Sequence, residues 1–330
     1  MHGMATGAES PQGGERSFDG RIGPEELSQM AYVASLHFRE GKTRIEIADR
    51  LGISRFKVGR LLDKALAAGV IRLQIASPRD IDLELSVALR QRFGLTHALA
   101  IPIHEETRES LQASLGTAAA QLLEEILTPD DVLGLTSGRT LNAMASRMSA
   151  DAGYEVVALS GIAGPLHEHG VDLMRNVVGT RQRRTWPLFA PLVVESEATA
   201  EALRRDPLIS KTFAQFSRVT VGVVAVGSWD PPESLMYLSA QEMGIAERLK
   251  SMGATGEVGA TVFDDEGRIV GGLDGRTMAI SAKDLRDIPE VIAVAGGKNK
   301  ATAIRGAIRS GLIDSLVTDV TTAQRLLESL

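Results

Sequence analysis

Two polar glycine loops carry the side chains best suited to holding an anion. Thr136-Ser137-Gly138-Arg139-Thr140 follows the apolar run 132–135, and Gly296-Gly297-Lys298-Asn299-Lys300 follows the run 291–295. Each reads as strand, loop, helix. Free backbone N–H groups and the helix dipole at such a helix start attract negative charge, and hydroxyls add donors. Glycines let the backbone come close to a ligand, and a lysine beside them neutralises a phosphate. Ser160-Gly161 and Gly227-Ser228 repeat the pattern after two further apolar runs. The plain alternative at each is a capped turn with solvated charges. Several such loops at strand ends favour one convergent pocket. Glu257, set between glycines, is either an acceptor for sugar hydroxyls or an exposed turn residue. Trp229 can stack on a sugar face, but packing is the plainer reading for both Trp186 and Trp229.

A second set of residues lies near the N-terminus. Ser54, Arg55, Phe56 and Lys57 open a helical pattern, and Arg60 follows one turn later. Arginine and lysine at the start of a recognition helix pair with guanine edges or with phosphates. Thr43, at the start of the preceding helix, offers a hydroxyl and a backbone N–H to a phosphate. Gly41-Lys42-Thr43 resembles the end of a phosphate-binding loop, but it lacks the upstream glycine and the preceding strand.

These groups need elements to position them. Apolar residues at helical spacing predict helices over 24–40, 43–51 and 54–68, with Gly41, Gly52 and Gly69 at their ends. Three helices with a glycine turn before the third form a helix-turn-helix pattern. The alternation over 70–75 predicts a short strand pair, or wing. A connecting helix is expected over 80–93. Beyond it, apolar runs at 98–103, 132–135, 155–160, 219–226 and 291–295 alternate with helical patterns at 110–127, 140–148, 301–309 and 321–330. That alternation predicts an α/β domain around a largely parallel sheet. The expected organisation is a tail over 1–23, a helix-turn-helix domain over 24–78, a connecting helix over 79–95 and an effector domain over 96–330.

Charge supports the division. Residues 24–79 hold ten Lys/Arg and six Asp/Glu, a net of +4, which leaves −10 for the rest of a chain whose total is −6. A basic head on an acidic body suits a protein that touches DNA with one part only. With no cysteine, disulfides, thiolate zinc sites and cysteine nucleophiles are excluded. No apolar run approaches a membrane span, and residues 1–23 lack an apolar signal core, so a cytoplasmic location is expected. His167-Glu168-His169 hints at metal, but nothing places the three together, and neither a metal nor a cofactor is expected.

With these motifs in view, the chain resembles the SorC family of sugar-responsive transcriptional regulators from about Leu27 to Leu327. The head carries Ile47-Ala-Asp-Arg-Leu-Gly-Ile-Ser and Val58-Gly-Arg-Leu-Leu. The body carries Gly134-Leu-Thr-Ser-Gly-Arg-Thr-Leu, Ala190-Pro-Leu, Gly253-Ala-Thr-Gly-Glu-Val-Gly, Val294-Ala-Gly-Gly-Lys-Asn-Lys-Ala-Thr-Ala-Ile and Leu316-Val-Thr-Asp. The resemblance implies a winged helix-turn-helix head and a Rossmann-like C-terminal domain similar to sugar-phosphate isomerases and deaminases. It also implies a phosphorylated sugar or polyol bound at Ser137–Thr140 and around Lys300, and a dimer or a tetramer built as a dimer of dimers. The chain departs from the pattern at Glu257, where the family often has Asp, and at Gly59, where it often has Ser or Thr.

The expected function is therefore a DNA-binding regulator, a repressor of a carbohydrate operon released by its inducer. Its partners are double-stranded operator DNA, a small-molecule effector and further copies of itself. The competing reading is a sugar-phosphate isomerase or deaminase with an accessory head. It needs an acid/base pair, and Glu257 and Asp319 form no obvious one; Lys300 as a Schiff-base lysine traps ligand without completing a cycle. An RNA or protein adaptor is the weakest alternative.

Overall fold

The computed structural model describes residues 22–72, 80–148, 153–163, 184–273 and 275–328. They fall into two compact units that divide between Ala76 and Ser77.

The first unit holds helices α1 (Pro24–Phe38), α2 (Arg44–Leu51) and α3 (Arg55–Ala67). Their starts are written in local chemistry. Pro24 takes the first turn of α1, where its missing N–H costs nothing. Thr43 and Glu46 form a reciprocal capping box at the start of α2. Ser54 Oγ accepts from Lys57 N at 3.2 Å to cap α3. Gly52 closes α2 at φ +64°, a left-handed backbone that favours glycine. Met30, Leu36, Ile47 and Val58 are fully buried where the three helices meet. Val70–Arg72 hold no strand, and residues 73–75 of the expected wing lie outside the described residues.

The second unit opens with α4 (Leu83–Phe93), the helix expected to be a connector. It is part of the body: Leu89 is fully buried in the core there, and Asp82 bridges to Ala100. There follow β1 (Ala98–Ile101), α5 (Arg108–Ile126), β2 (Val132–Leu135), α6 (Arg139–Ala145), β3 (Glu155–Ala158), β4 (Thr185–Trp186), α7 (Glu197–Arg205), α8 (Pro207–Phe213) and β5 (Val221–Val224). Next come β6 (Val226–Trp229), β7 (Pro232–Glu233), α9 (Leu235–Glu242), α10 (Ala246–Ser251), β8 (Gly256–Val258), β9 (Thr261–Phe263) and α11 (Ala282–Arg286). The chain ends with β10 (Glu290–Val294), α12 (Ala301–Arg309), β11 (Ser315–Asp319) and α13 (Val320–Glu328).

Among the described residues seven strands form a parallel sheet in the order β1-β11-β10-β5-β2-β3-β4. Alternate residues serve opposite faces. Val223, Ile292, Val294 and Val317 pack in one core, and Val224, Val291, Ala293 and Leu316 in the other. A parallel sheet covered on both sides needs apolar residues at every position, which is why these strands read as unbroken apolar runs.

A second sheet, β7-β6-β8-β9, is antiparallel. It was not legible in the apolar run 219–226, which reads as one strand. The run is divided at Ala225, whose backbone N–H donates to Thr136 Oγ1 at 3.1 Å. A side-chain hydroxyl takes the donor, and the chain leaves the parallel sheet for the antiparallel one.

Candidate effector cavity

The ends of four neighbouring strands, β11, β10, β5 and β2, face one cavity of about 670 Å³ in the second unit. Open α/β sheets place ligands outside the carboxyl ends of their strands. Of the eleven residues expected at an effector site, ten line this cavity: Thr136, Ser137, Gly138, Arg139 and Thr140 from one loop, Gly296, Gly297 and Lys300 from another, and Gly227 and Glu257 from the second sheet. Gly161 is not among the lining residues. Its N–H donates to Met278 O at 2.7 Å, and a Cβ on it would meet Ala190 O at 2.5 Å. Its neighbour Ser160 does line the cavity and holds the first loop, accepting from Ser137 N at 3.1 Å.

Asp319, at the end of β11, holds the second loop. Its Oδ2 accepts from Gly297 N at 2.7 Å and from Thr322 Oγ1 at 2.6 Å, and its Oδ1 accepts from Thr322 N at 2.9 Å. A Cβ on Gly296 would lie 2.5 Å from that carboxylate, and Gly297 has φ +111°. Both glycines are therefore required by the loop. Lys300 Nζ donates to Val226 O at 2.6 Å, joining the loop to β6. Burial pushes the Lys300 pKa down, against the pull of Glu257 and Glu233, with Arg139 and Arg108 adding to the fall.

Glu257 is no exposed turn residue. It sits in β8, 8% exposed. Ser234 Oγ donates to its Oε1 at 2.6 Å, and the Trp229 indole N–H donates to its Oε2. Burial raises its pKa, while those two donors and Lys300 oppose the rise. Trp229 is fully buried and meets the Tyr237 ring edge-on at 5.5 Å, so it packs and offers no sugar platform.

Sequence reasoning missed Arg108, Glu233 and Ser234, which also line the cavity. Ser234 carried a signal, since it caps α9 by accepting from Tyr237 N at 2.9 Å. Glu233 carried none, because only the fold of the second sheet brings it to the first.

In the first unit Thr43, Ser54, Arg55, Phe56, Lys57 and Arg60 are all exposed. Phe56 is 70% exposed, and the Arg55 guanidinium lies 5.0 Å from its ring centroid. On α3 the buried face is Val58, Leu61, Leu62 and Ala65; Phe56 and Arg60, four residues apart, share the opposite face. Residues 167–169 lie outside the described residues. Among the described residues there is no cluster of three His, Asp or Glu able to hold a metal, and no helix is long and apolar enough to cross a membrane.

Residues 78–328 match the family model described as "Putative sugar-binding domain". The chain is 32% identical over 313 residues to the transcriptional regulator LsrR of Klebsiella pneumoniae subsp. pneumoniae, covering 93% of this chain and 94% of that one. Its fold matches the full-length sorbitol operon regulator SorC from Klebsiella pneumoniae with a TM-score of 0.69 at 22% identity, over 92% of this chain and 100% of that one. A transcriptional regulator from Streptococcus pneumoniae TIGR4 matches with a TM-score of 0.67 at 22% identity, over 74% and 96%. A three-helix unit followed by an α/β domain with a sugar-binding fold defines a class, the sugar-responsive transcriptional regulators. The chain belongs to the SorC family of that class.

Proposed function

We propose that the cavity is the effector site and that a phosphorylated sugar or polyol bound there controls the affinity of the three-helix unit for operator DNA. The observation that carries this reading is the convergence of two hydroxyl- and lysine-bearing glycine loops, Thr136–Thr140 and Gly296–Lys300, on one cavity at the strand ends. The anion is held by the loop N–H groups with Arg139 nearby, and the hydroxylated part reaches toward the second sheet. Arg55, Lys57 and Arg60, with Phe56 between them and Thr43 and Ser54 at the helix starts, form the DNA-contacting surface. The protein acts in the cytoplasm as a homo-oligomer, a dimer or tetramer, represses a carbohydrate operon and performs no turnover.

For the effector to act, it must bind one arrangement of the regulator better than the other. The test is equilibrium binding to the DNA upstream of its own gene at several salt concentrations, with and without sugar phosphates. Tight, salt-sensitive binding released by one of them supports the reading. Binding strengthened by the ligand would reverse the sign of regulation. Turnover of a sugar phosphate by the pure protein would replace regulator with enzyme.

A further inference from the structure

Four carboxylates border the cavity: Glu106, Glu233, Glu257 and Asp319. They differ in what their oxygens already hold. Both oxygens of Asp319 are engaged by the Gly297 loop and by Thr322. Both oxygens of Glu257 are engaged by Trp229 and Ser234. Glu106 is exposed. Glu233 alone is part-buried with an oxygen left over. Its Oε1 accepts from Asn299 Nδ2 at 2.9 Å, and its Oε2 accepts nothing among the described residues.

A carboxylate has about four lone-pair sites, so Glu233 keeps most of its acceptor capacity. Its orientation is nonetheless fixed. Asn299 holds one oxygen, and the Asn299 carbonyl in turn accepts from Ser228 Oγ at 3.2 Å. Ser228 is also the cross-strand partner of Glu233 in the second sheet. Glu233 is near enough to Lys300 for its charge to act on that amine. A held carboxylate with open lone pairs, beside a lysine and facing a cavity, is built to accept from neighbouring hydroxyls.

We propose that Glu233 is the specificity-determining residue of the effector site, accepting hydrogen bonds at Oε2 from hydroxyls of a polyhydroxylated ligand, while Glu257 builds the wall behind it. This rests on the sugar-phosphate reading of the cavity. A site that hydrogen-bonds a ligand hydroxyl rejects the analogue lacking it, because its own buried acceptor is left unpaired.

The test is calorimetric titration of the full chain with D-ribose 5-phosphate, D-glucose 6-phosphate, their 2-deoxy analogues and inorganic phosphate, in wild type, Glu233→Gln and Glu257→Gln. Glutamine keeps the acceptor that holds Asn299. The wild type binds a hydroxylated sugar phosphate more tightly than its deoxy partner. Glu233→Gln weakens that binding about tenfold or more and erases the preference, while inorganic phosphate binds as before or better. Glu257→Gln lowers the melting temperature and keeps the preference. If Glu233→Gln keeps the preference, or loses inorganic phosphate in equal measure, the assignment falls and the effector reading stands. It falls equally if the wild type binds without preference, or if Glu257→Gln alone erases it. A wild type that binds none of the five overturns the sugar-phosphate reading and the assignment with it.

Discussion

The carboxylate of Glu257 fills the space that a side chain on Gly227 would need: a Cβ built on Gly227 would lie 1.7 Å from Glu257 Oε1. The two are cross-strand partners in β6 and β8. The glycine is needed for the room it leaves, and the glutamate reaches across it to Trp229 and Ser234.

Gly227→Ala must therefore displace a buried carboxylate from its donors. A loss of about 2 kcal/mol or more is expected, from overpacking together with broken hydrogen bonds. Urea unfolding of the variant checks it, and an unchanged midpoint would contradict the close approach.

The same burial sets a pH dependence. The folded Glu257 pKa is raised above its ordinary value of 4.5, chiefly by desolvation. A raised folded pKa gives stability that is full below the unfolded value and lost as pH rises through the folded one. Wild-type stability should thus fall, on this account, as pH climbs above about 4.5, and Glu257→Gln should remove that part of the fall. Denaturation midpoints from pH 4 to 8 (an order-of-magnitude window for such a group) give the comparison; parallel curves would count against it.

Ala260 has φ +94° in the two-residue turn between β8 and β9, after Gly259 at φ +60°. Two positive φ values are what a tight type I′ hairpin turn requires. An L-residue in that region costs about 1–2 kcal/mol, partly offset in glycine by a freer unfolded chain. Ala260→Gly is expected to raise stability by up to about 1 kcal/mol, read from the thermal midpoint.

Asp319→Ala leaves Thr322 N and the Thr322 hydroxyl without their acceptor and leaves Gly297 N only its longer bond to Thr322 Oγ1 at 3.1 Å. Stranding buried donors costs about 1–3 kcal/mol each where water cannot reach them. Lower stability is expected together with faster amide exchange at Gly297. Retained protection there would show that something else holds the loop.

On the first unit, changing Arg55, Lys57 and Arg60 to Ala should weaken DNA binding and flatten its salt dependence. Each lost phosphate contact lowers the slope of log affinity against log salt by about one unit. A slope equal to wild type would remove α3 from the DNA surface.

By itself, the sequence determined what is local or periodic. Thr43 and Ser54 beside their helices, Gly52 after α2, and the run-loop-helix order around Thr136–Thr140 and Gly296–Lys300 could be read directly. Capping and periodicity act over a few residues, and a doubly covered sheet writes itself as apolar runs. Tertiary structure decided what depends on distant partners. It divided the run 219–226 by giving the Ala225 N–H to Thr136. It drew α4 into the body through Leu89. It paired Glu257 with Trp229 and brought Glu233 to Asn299, 66 residues along the chain. A carboxylate's role is set by which donors have already taken its lone pairs, and those donors are assembled only when the two sheets fold together.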